Sequence, residues 1–262
     1  MFEYGKKTYI MGILNVTPDS FSDGGDFTNV DIAVKHAKDM VEEGADIIDL
    51  GGESTRPGHK FVSAEEELRR IVPVIKELKK EIKVPISVDT YKSEVAEEAL
   101  KLGVDMINDV WGLTYDEDMA EVIGKYDASV CIMHNQNGTE YDKDIMVSIK
   151  EFLQKSIDKA LEAGVKKEKI VLDPGIGFGK TFEQNVEVLR RLNELQDLGY
   201  PVLLGTSRKS VLGNIVAGEP KDRVEATVAT TVTGIRDGVD IVRVHDVKEN
   251  LQAAMVADKL YR

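Results

Sequence analysis

The sequence predicts a protein of the α/β class folded as one (β/α)₈ barrel, or TIM barrel, and three observations support this fold. Short apolar runs recur eight times along the chain, each run ends in polar or glycine residues, and helix-like segments separate the runs. The length of 262 residues is close to that of one such barrel, so we expect a single domain over residues 1–262. The runs are Tyr9–Leu14, Asp46–Leu50, Pro85–Val88, Val104–Ile107, Ser129–Met133, Lys169–Leu172, Val202–Leu204 and Ile241–Val244.

Polar or glycine residues follow each run directly. In a barrel of this kind the C-terminal ends of all the strands face the same side, and the loops on that side build the active site. Taken singly, each cluster could also be an ordinary turn. Together they predict an active site formed by the residues that begin them: Asn15, Gly51, Asp89, Asn108, His134, Asp173, Ser207 and His245.

Segments with the spacing of amphipathic helices lie between the runs. Ser63-Ala-Glu-Glu66 has the pattern of a capping box that opens a helix reaching Glu81, and Pro73 within it predicts either a bend or a later start. The other expected helices are Asp31–Glu43, Ser93–Leu102, Asp118–Tyr126, Asp144–Ala163, Gln184–Leu198, Ser207–Val216, Asp222–Asp237 and Lys248–Leu260.

Three connections on the C-terminal face are long, namely those after strands one, two and five. They span Asn15–Val30, Gly51–Val62 and His134–Lys143, whereas most connections in compact domains have about 4–6 residues. Long loops on a rigid scaffold often carry binding residues. We therefore expect these three loops to cover the active site.

The chain has a net charge of −13, a hydrophobic content of 42% and one cysteine, Cys131. The negative charge argues against general binding to nucleic acids or membrane surfaces, because both are polyanions. No apolar stretch reaches the roughly 20 residues that cross a bilayer. A single cysteine inside an apolar run provides no disulfide framework, so we expect it in the core of a cytoplasmic protein.

Positive charge is concentrated after strands seven and eight, at Arg208, Lys209, Arg243 and His245. The loops after these two strands often bind phosphate in TIM barrels, helped by a helix N-terminus. On spacing alone, the segment Ser207-Arg-Lys-Ser210 is better interpreted as a solvated basic face at the start of a helix. The barrel context favours a bound phosphate or diphosphate.

Two long motifs point to a family. Met11-Gly-Ile-Leu-Asn-Val-Thr-Pro-Asp-Ser-Phe-Ser-Asp-Gly-Gly25 and Asp49-Leu-Gly-Gly-Glu-Ser-Thr-Arg-Pro-Gly58 resemble the signature pair of the dihydropteroate synthase family of pterin-binding enzymes. One segment departs from the family pattern: after Met133-His134 the family usually has a Met and a Gly-x-Pro, whereas this chain reads Asn135-Gln-Asn-Gly-Thr-Glu140. Five shorter motifs follow in the family's order: Ser87–Thr90, Ile107–Asp109, Leu172–Gly179, Gly205–Ser210 and Arg243–Asp246.

The resemblance implies an enzyme of folate biosynthesis. Such an enzyme condenses a dihydropterin that carries a CH₂-diphosphate with 4-aminobenzoate, and it releases 7,8-dihydropteroate and diphosphate. The expected route is a dissociative one through a pterin-methylene cation, with diphosphate leaving as its Mg²⁺ complex. The resemblance also implies a homodimer and competition by sulfonamides, which are similar to 4-aminobenzoate in shape and in their acidic end.

The resemblance further assigns residues to the pterin. Asp173 and Asn108 match the family residues that bind the amino-pyrimidinone edge, a role that suits a paired carboxylate acceptor and an amide. Lys209 matches a lysine that donates toward the ring, and Asp89 matches a carboxylate beneath it. The residues expected to give apolar contacts to the ring and the benzoate are Met133 and Phe178.

The remaining matches concern the diphosphate, the metal ion and the second substrate. Asn15 is expected to hold Mg²⁺ together with phosphate oxygens, and Arg243 and His245 are expected to bind the diphosphate. The family's 4-aminobenzoate site corresponds to Phe21, Ser22, Thr55, Arg56, Pro57 and Ser210. The expected catalytic residues are Asp89, Lys209 and Arg243.

Two other functions share part of this pattern. A corrinoid-dependent methyltetrahydrofolate methyltransferase would keep the Asp and Asn pterin contacts, but it needs neither a diphosphate site nor the Thr55-Arg-Pro57 loop. A non-catalytic pterin-binding protein would be expected to lose Lys209, Arg243 or the first loop. All of these features are present, which favours the synthase.

His134 stays a candidate for the site, and Trp111 is expected to anchor a core or a lid.

Overall fold

The computed structural model describes residues 2–16, 26–54 and 61–262. Strands form within this part of the chain at each of the eight apolar runs, so the predicted set of strands is confirmed. The strands are β1 (Tyr9–Asn15), β2 (Ile47–Gly51), β3 (Ile86–Asp89), β4 (Met106–Asp109), β5 (Ser129–Met133), β6 (Ile170–Asp173), β7 (Leu203–Leu204) and β8 (Ile241–Val244).

The strands form a single parallel sheet in the order β6-β5-β4-β3-β2-β1-β8-β7. The two ends of the sheet meet at β6 and β7, where one bridge joins Leu172 to Val202. There the Leu172 N–H donates to the Pro201 carbonyl oxygen at 2.9 Å. The sheet is therefore a nearly closed eight-stranded parallel barrel, in agreement with the predicted α/β fold class.

The helices also follow the predicted order, with three changes of extent. The first begins at Asp26 rather than Asp31, and the segment expected as Gln184–Leu198 divides into an α-helix and a 3₁₀ helix over Leu192–Leu198. The segment expected as Ser207–Val216 keeps one α-helical turn. The α-helices are α1 (Asp26–Glu42), α2 (Ala64–Glu81), α3 (Ser93–Lys101), α4 (Met119–Lys125), α5 (Ile145–Glu162), α6 (Phe182–Arg190), α7 (Ser210–Gly213), α8 (Val224–Arg236) and α9 (Val247–Tyr261).

α2 does not begin at Pro73, so the later start is wrong, and a bend at the proline stays a prediction. The helix runs through it, and Ser63 caps the first turn by accepting a hydrogen bond from the Glu66 N–H. A proline inside a helix costs about 3 kcal/mol. Burial of the apolar face against the barrel offsets that cost, and the buried side chains of this face are Ile71, Val74, Ile75 and Leu78.

The lower half of the barrel interior is apolar. One buried cluster contains an inward-facing side chain from seven of the eight strands, and Phe2 and Tyr4 pack against it at the N-terminal end. Cys131 belongs to this cluster, and burial raises the pKa of its thiol well above the ordinary value. The sequence-based placement of Cys131 in the core is therefore correct. The cluster comprises Tyr9, Met11, Ile47, Met106, Cys131, Val171, Leu203 and Ile241.

The upper half of the interior is polar. Successive side chains of a strand point to opposite faces, so residues two apart share a face. Asp49 thus follows Ile47 into the interior, and Asn108 follows Met106 in the same way. Asp173 and Arg243 stand two residues after Val171 and Ile241, and Asp89 ends β3 beside Asn108. Charged residues therefore collect at the C-terminal mouth of the barrel.

Among the helices of the described residues, none is long and apolar enough to cross a membrane.

Candidate active site

Arg243 links two carboxylates at the mouth of the barrel. Its Nε donates to Asp49 Oδ2 at 2.6 Å, and its Nη2 donates to Asp89 Oδ2 at 2.8 Å. Asp49 Oδ2 also accepts a hydrogen bond from Asn108 Nδ2 at 3.2 Å. The structure therefore brings together Asp89, Asn108 and Arg243, as expected, and it does so through Asp49.

Two buried carboxylate oxygens in this group have no hydrogen-bond partner within the described part of the chain. They are Oδ1 of Asp49 and Oδ1 of Asp89. Burial raises the pKa of the Asp89 carboxyl group above its ordinary value; Arg243 opposes this shift, and the charge of Asp49 adds to it. Buried polar atoms usually find a partner, so Oδ1 of Asp89, at the end of its strand, is available to a donor on a bound molecule, whereas Asp49 lies deeper in the barrel.

Asp173 ends β6 and anchors the glycine-rich loop that follows. Its Oδ1 accepts a hydrogen bond from the Gly175 N–H at 2.7 Å, and burial raises the pKa of its carboxyl group. Gly175 has a φ of +70°, and a Cβ atom there would lie 1.9 Å from the carbonyl oxygen of His134. Only glycine permits this close approach. The loop therefore turns sharply at the strand end and fixes Asp173 at the barrel mouth.

Lys209 reaches the same region from the loop after β7. Its Nζ donates to the Ile176 carbonyl oxygen at 2.6 Å and lies 4.8 Å from the centre of the Phe178 ring. Burial lowers the pKa of the Lys209 ammonium to about 8, although Asp173 opposes the shift. A Cβ atom on Gly205 would lie 3.7 Å from Lys209 Nζ and 3.9 Å from Asp173 Oδ2. Because Gly205 has no side chain, the space between Lys209 Nζ and Asp173 Oδ2 stays open.

A buried lysine that the sequence motifs did not single out holds the loop after β6. Lys180 Nζ lies 2.9 Å from His134 Nδ1 and donates to the carbonyl oxygens of Gly175 and Phe178 at 3.0 Å each. Burial lowers the pKa of Lys180 to about 7 and that of His134 to about 3, and Lys180 lowers the latter further. A neutral imidazole can accept the hydrogen bond from the ammonium. His134 therefore supports the loop that carries Asp173 and Phe178.

The cations after β7 and β8 divide into two groups. Arg208 adopts the left-handed region, with a φ of +59°, and pairs with both carboxylate oxygens of Asp246. At the end of β8, the His245 N–H donates to Ser207 Oγ at 3.1 Å, and the same hydroxyl lies 2.9 Å from His245 Nδ1. The Ser207 hydroxyl therefore contacts both the backbone and the imidazole of His245 and holds this side chain at the strand end. Arg208 is thus paired with Asp246. This pairing sets Arg208 apart from the other three expected cations, which are Lys209, Arg243 and His245.

An apolar wall stands beside the polar layer. Met133 packs with Tyr91 and Val110, and the partly buried rings of Trp111 and Phe178 pack against them. Met133 and Phe178 were predicted as apolar contacts, and the structure places them in one cluster. Trp111 is also in contact with Tyr115, at 6.0 Å between ring centres, so it anchors this wall as expected.

Asn15 is the last residue of β1 and pairs with Gly51 of β2. A Cβ atom on Gly51 would lie 3.3 Å from Asn15 Oδ1, so the glycine allows the amide to sit close to the neighbouring strand. Ser210 is exposed at the first position of α7, directly after Lys209. The other residues expected to bind 4-aminobenzoate lie outside the described residues: Phe21, Ser22, Thr55, Arg56 and Pro57.

The atypical fifth loop packs against the loop after β6. The Tyr141 hydroxyl donates to the Gly179 carbonyl oxygen at 2.9 Å, and Gln184 Nε2 donates to the Thr139 carbonyl oxygen at 2.9 Å. Asn135 Nδ2 donates to the Val110 carbonyl oxygen at 3.0 Å. The polar residues that replace the family pattern therefore connect the loops after β4, β5 and β6.

A buried ionic cluster lies beside the site, at the ends of β2 and β3. Lys92 Nζ contacts Glu53 and lies 2.5 Å from Glu67 Oε2, and all three residues are buried. The Val62 N–H donates to Glu53 Oε1 at 3.1 Å, and the Tyr91 hydroxyl donates to the same carboxylate. Glu53 therefore ties the beginning of the second loop to its end. The sequence did not single out Glu53, because its partners Tyr91 and Lys92 are distant in sequence.

Comparisons with known proteins agree with this geometry. A family model described as pterin binding enzyme matches residues 11–245. A dihydropteroate synthase from Clostridium beijerinckii is 56% identical over 262 residues, which is 100% of this chain and 97% of that protein. A Clostridium difficile dihydropteroate synthase, solved in the presence of pteroic acid, superposes with a TM-score of 0.99 at 75% identity and 100% coverage of both chains.

A dihydropteroate synthase from Xanthomonas albilineans, solved with 4-aminobenzoic acid, superposes with a TM-score of 0.92 at 42% identity. That match covers 97% of this chain and 93% of the other chain. The motifs, the barrel and these matches lead to one assignment. The chain belongs to the pterin-binding enzyme family and, within it, to the dihydropteroate synthases.

Proposed function

We propose that this chain joins a dihydropterin bearing a CH₂-diphosphate to 4-aminobenzoate. The C–O bond to diphosphate breaks, and its electron pair leaves on the phosphate oxygen. The amine nitrogen then forms the new C–N bond and gives up one proton to water. The products are 7,8-dihydropteroate and diphosphate. The observation that carries this proposal is the layer of Asp173, Asn108, Lys209 and Arg243 at the barrel mouth of a dihydropteroate synthase chain.

Asp173 and Asn108 are the groups that would read the pterin. The amino-pyrimidinone edge presents adjacent N–H donors, and an ionised carboxylate accepts such a pair well. Asp173 uses only Oδ1 in its bond to Gly175. Asn108 gives one amide hydrogen to Asp49 and keeps its carbonyl oxygen for a ligand. Lys209 would supply a donor toward the ring carbonyl, and its Nζ lies close to Gly205, as does Asp173 Oδ2.

The charges of the site favour a cationic intermediate. Three buried carboxylates, Asp49, Asp89 and Asp173, surround two cations, Arg243 and Lys209. When all five are ionised, one negative charge remains in excess. Departure of diphosphate spreads positive charge over the pterin and its methylene, and fixed buried carboxylates stabilise such a charge. We therefore assign Asp89, whose Oδ1 has no partner among the described residues, to this role.

The residues present fit a Mg²⁺ ion that arrives with the diphosphate. Within residues 2–16, 26–54 and 61–262 there is no group of three His, Cys, Asp or Glu side chains that could hold a metal ion. Asn15 offers a single neutral oxygen at the end of β1. Mg²⁺ commonly takes one or two protein oxygens and completes its shell with phosphate oxygens and water. Mg²⁺ would neutralise charge on the leaving diphosphate, alongside Arg243 and the imidazole of His245.

The second substrate would bind above the pterin, near Ser210. Ser210 is exposed and begins α7, immediately after Lys209. The Xanthomonas albilineans relative was solved with 4-aminobenzoic acid, and the Clostridium difficile relative in the presence of pteroic acid. We carry 4-aminobenzoate binding over to Ser210 and to the loop residues Phe21, Ser22, Thr55, Arg56 and Pro57.

We also propose that the chain forms a homodimer through its last helix. Four large apolar side chains of α9 are exposed between 49% and 68%, namely Met255, Val256, Leu260 and Tyr261. Exposed apolar side chains concentrated on one helix are typical of protein contacts. Light scattering coupled to gel filtration should give twice the chain mass of 29.0 kDa. A monomer at micromolar concentration would contradict the proposal.

A product assay tests the proposed reaction. The purified chain, mixed with the dihydropterin diphosphate, 4-aminobenzoate and Mg²⁺, should form 7,8-dihydropteroate and diphosphate in equal amounts. Methyl transfer from methyltetrahydrofolate to a corrinoid, without dihydropteroate, would support the methyltransferase alternative. Pterin binding without turnover of either kind would support a non-catalytic binding protein.

A further inference from the structure

Asp49 is a fully buried carboxylate placed beneath the residues assigned to the ligand. Its side chain is 0% exposed. Its cross-strand neighbour is Ser87, which precedes Asp89 by two residues, so Asp49 and Ser87 both lie deeper in the barrel than Asp89. One oxygen, Oδ2, accepts hydrogen bonds from both Arg243 Nε and Asn108 Nδ2. A single buried atom therefore holds two side chains that come from different strands.

The chemistry of a carboxylate decides how Asn108 is oriented. An ionised carboxylate only accepts hydrogen bonds, so it can face the NH₂ group of an amide but not its carbonyl oxygen. With Nδ2 of Asn108 turned toward Asp49, the carbonyl oxygen must point the other way. A donor on the pterin edge would meet that oxygen. Asp49 thus selects one of two amide orientations that have nearly the same shape.

The same oxygen constrains Arg243. Its Nε is bound to Asp49 at 2.6 Å, and its Nη2 is bound to Asp89 at 2.8 Å. Two anchor points fix the plane of a guanidinium group. The remaining N–H groups of Arg243 then keep one direction, so they are ready for an anionic group without rearrangement.

On the basis of the proposed function, we propose that Asp49 is a positioning residue for pterin and diphosphate binding, acting through Asn108 and Arg243 without touching the substrate. It orients the amide of Asn108 for the ring and the guanidinium of Arg243 for the leaving group. The loss of its charge should therefore weaken ligand binding through these two partners, and not through Lys209, for which no contact with Asp49 is seen among the described residues.

Asp49→Asn is the informative variant because it keeps the shape of the side chain. The new amide can donate as well as accept, so it no longer forces one orientation on Asn108. Ser87→Ala is the matched control. Ser87 is the cross-strand neighbour of Asp49, is equally buried, and its hydroxyl has no partner within the described residues. Removing it perturbs the same part of the barrel without touching the proposed network.

Calorimetry with 6-hydroxymethylpterin measures the Asn108 branch. We expect Asp49→Asn to weaken binding about tenfold, and Ser87→Ala to leave it within roughly twofold of wild type. In the Asn108→Ala background, Asp49→Asn should have little further effect, because its partner is gone. In the Lys209→Met background it should again cost about tenfold.

Steady-state kinetics measures the Arg243 branch. Asp49→Asn should raise KM for the pterin diphosphate more than it weakens binding of the bare pterin, and it should leave KM for 4-aminobenzoate unchanged. Equal effects of Asp49→Asn in the Asn108→Ala and Lys209→Met backgrounds would overturn the proposal, as would an unchanged pterin affinity. If wild type itself fails to bind pterin, the proposed function fails instead, so the two failures are distinct.

Discussion

At the scale of single residues, Lys209 has a charge that changes near neutral pH. Burial lowers its pKa to about 8, and it must keep its proton to donate toward the pterin carbonyl. As pH rises through about 8, the ammonium loses its proton and kcat/KM should fall tenfold per pH unit. Lys209→Arg should move this basic limb upward, because a guanidinium stays protonated. A basic limb that is the same in both proteins would assign it to another group.

Arg243 is expected to stabilise the fold in addition to its proposed role toward the leaving group. It is the counter-ion of two buried carboxylates, Asp49 and Asp89. Removing one partner of a buried ion pair costs about 3–5 kcal/mol, so Arg243→Ala should lower the free energy of unfolding by that amount. Urea unfolding measures it, and Arg243→Ala combined with Asp49→Asn should recover part of the loss. An Arg243→Ala protein as stable as wild type would show that the carboxylates are neutral or solvated.

The sequence predicted the residues of the site better than the contacts between them. Asp89, Asn108, Asp173 and Arg243 were found because each ends or follows an apolar strand, a position that has chemical meaning in a barrel. Asp49 was missed because it lies inside an apolar run. A carboxylate inside an apolar run is expected to be buried, and a buried carboxylate rarely lacks a partner. This expectation was the signal in the sequence that could have singled out Asp49. Its partners are 59 and 194 residues away in sequence, a distance that no local pattern spans.

At the scale of elements, the loops after β5 and β6 depend on one buried ammonium. Lys180 bonds to His134 and to two carbonyl oxygens, and Lys180→Met would leave these acceptors without a donor. Each unsatisfied buried group costs about 1–3 kcal/mol. We expect Lys180→Met to lower the free energy of unfolding in urea by at least about 1 kcal/mol. Pterin binding should also weaken, because Asp173 is held by the same loop.

Lys143→Met is the control for Lys180→Met. Lys143 lies in the fifth loop, is exposed, and pairs with Glu151 at 2.8 Å. Exposed pairs contribute about 0–1 kcal/mol, so this variant should change neither stability nor binding by much. If Lys180→Met behaves like Lys143→Met in both measurements, the loop is held by its glycines and backbone alone.

The sequence predicted the elements correctly but not all of their ends. The separation of α6 from the 3₁₀ helix over Leu192–Leu198 was not predicted, because the apolar spacing is continuous through both. Pro73 does not start α2, since burial of one face of the helix outweighs the local cost of the proline. The loops after β1 and β2 were predicted to be long, and the central parts of both lie outside the described residues.

At the scale of the whole molecule, the barrel has one weak seam. β7 has two residues and meets β6 through a single bridge, whereas β1 and β2 pair along five residues. Segments with few backbone hydrogen bonds open more readily. Hydrogen exchange should therefore be faster in peptides covering residues 202–205 than in those covering β1 and β2. Equal protection would mean that the barrel closes as firmly at this seam as elsewhere.

We expect the polar layer at the barrel mouth to bind the pterin ring through Asp173, and calorimetry with 6-hydroxymethylpterin measures this binding. Asp173→Asn replaces a charged acceptor with an amide that presents a donor to a donor edge, a loss of about 1.5–3 kcal/mol. The dissociation constant should rise roughly 10- to 100-fold. Asp142→Asn, the same change at an exposed position, should have no effect. An unchanged affinity of Asp173→Asn would contradict the assignment of this layer to the pterin.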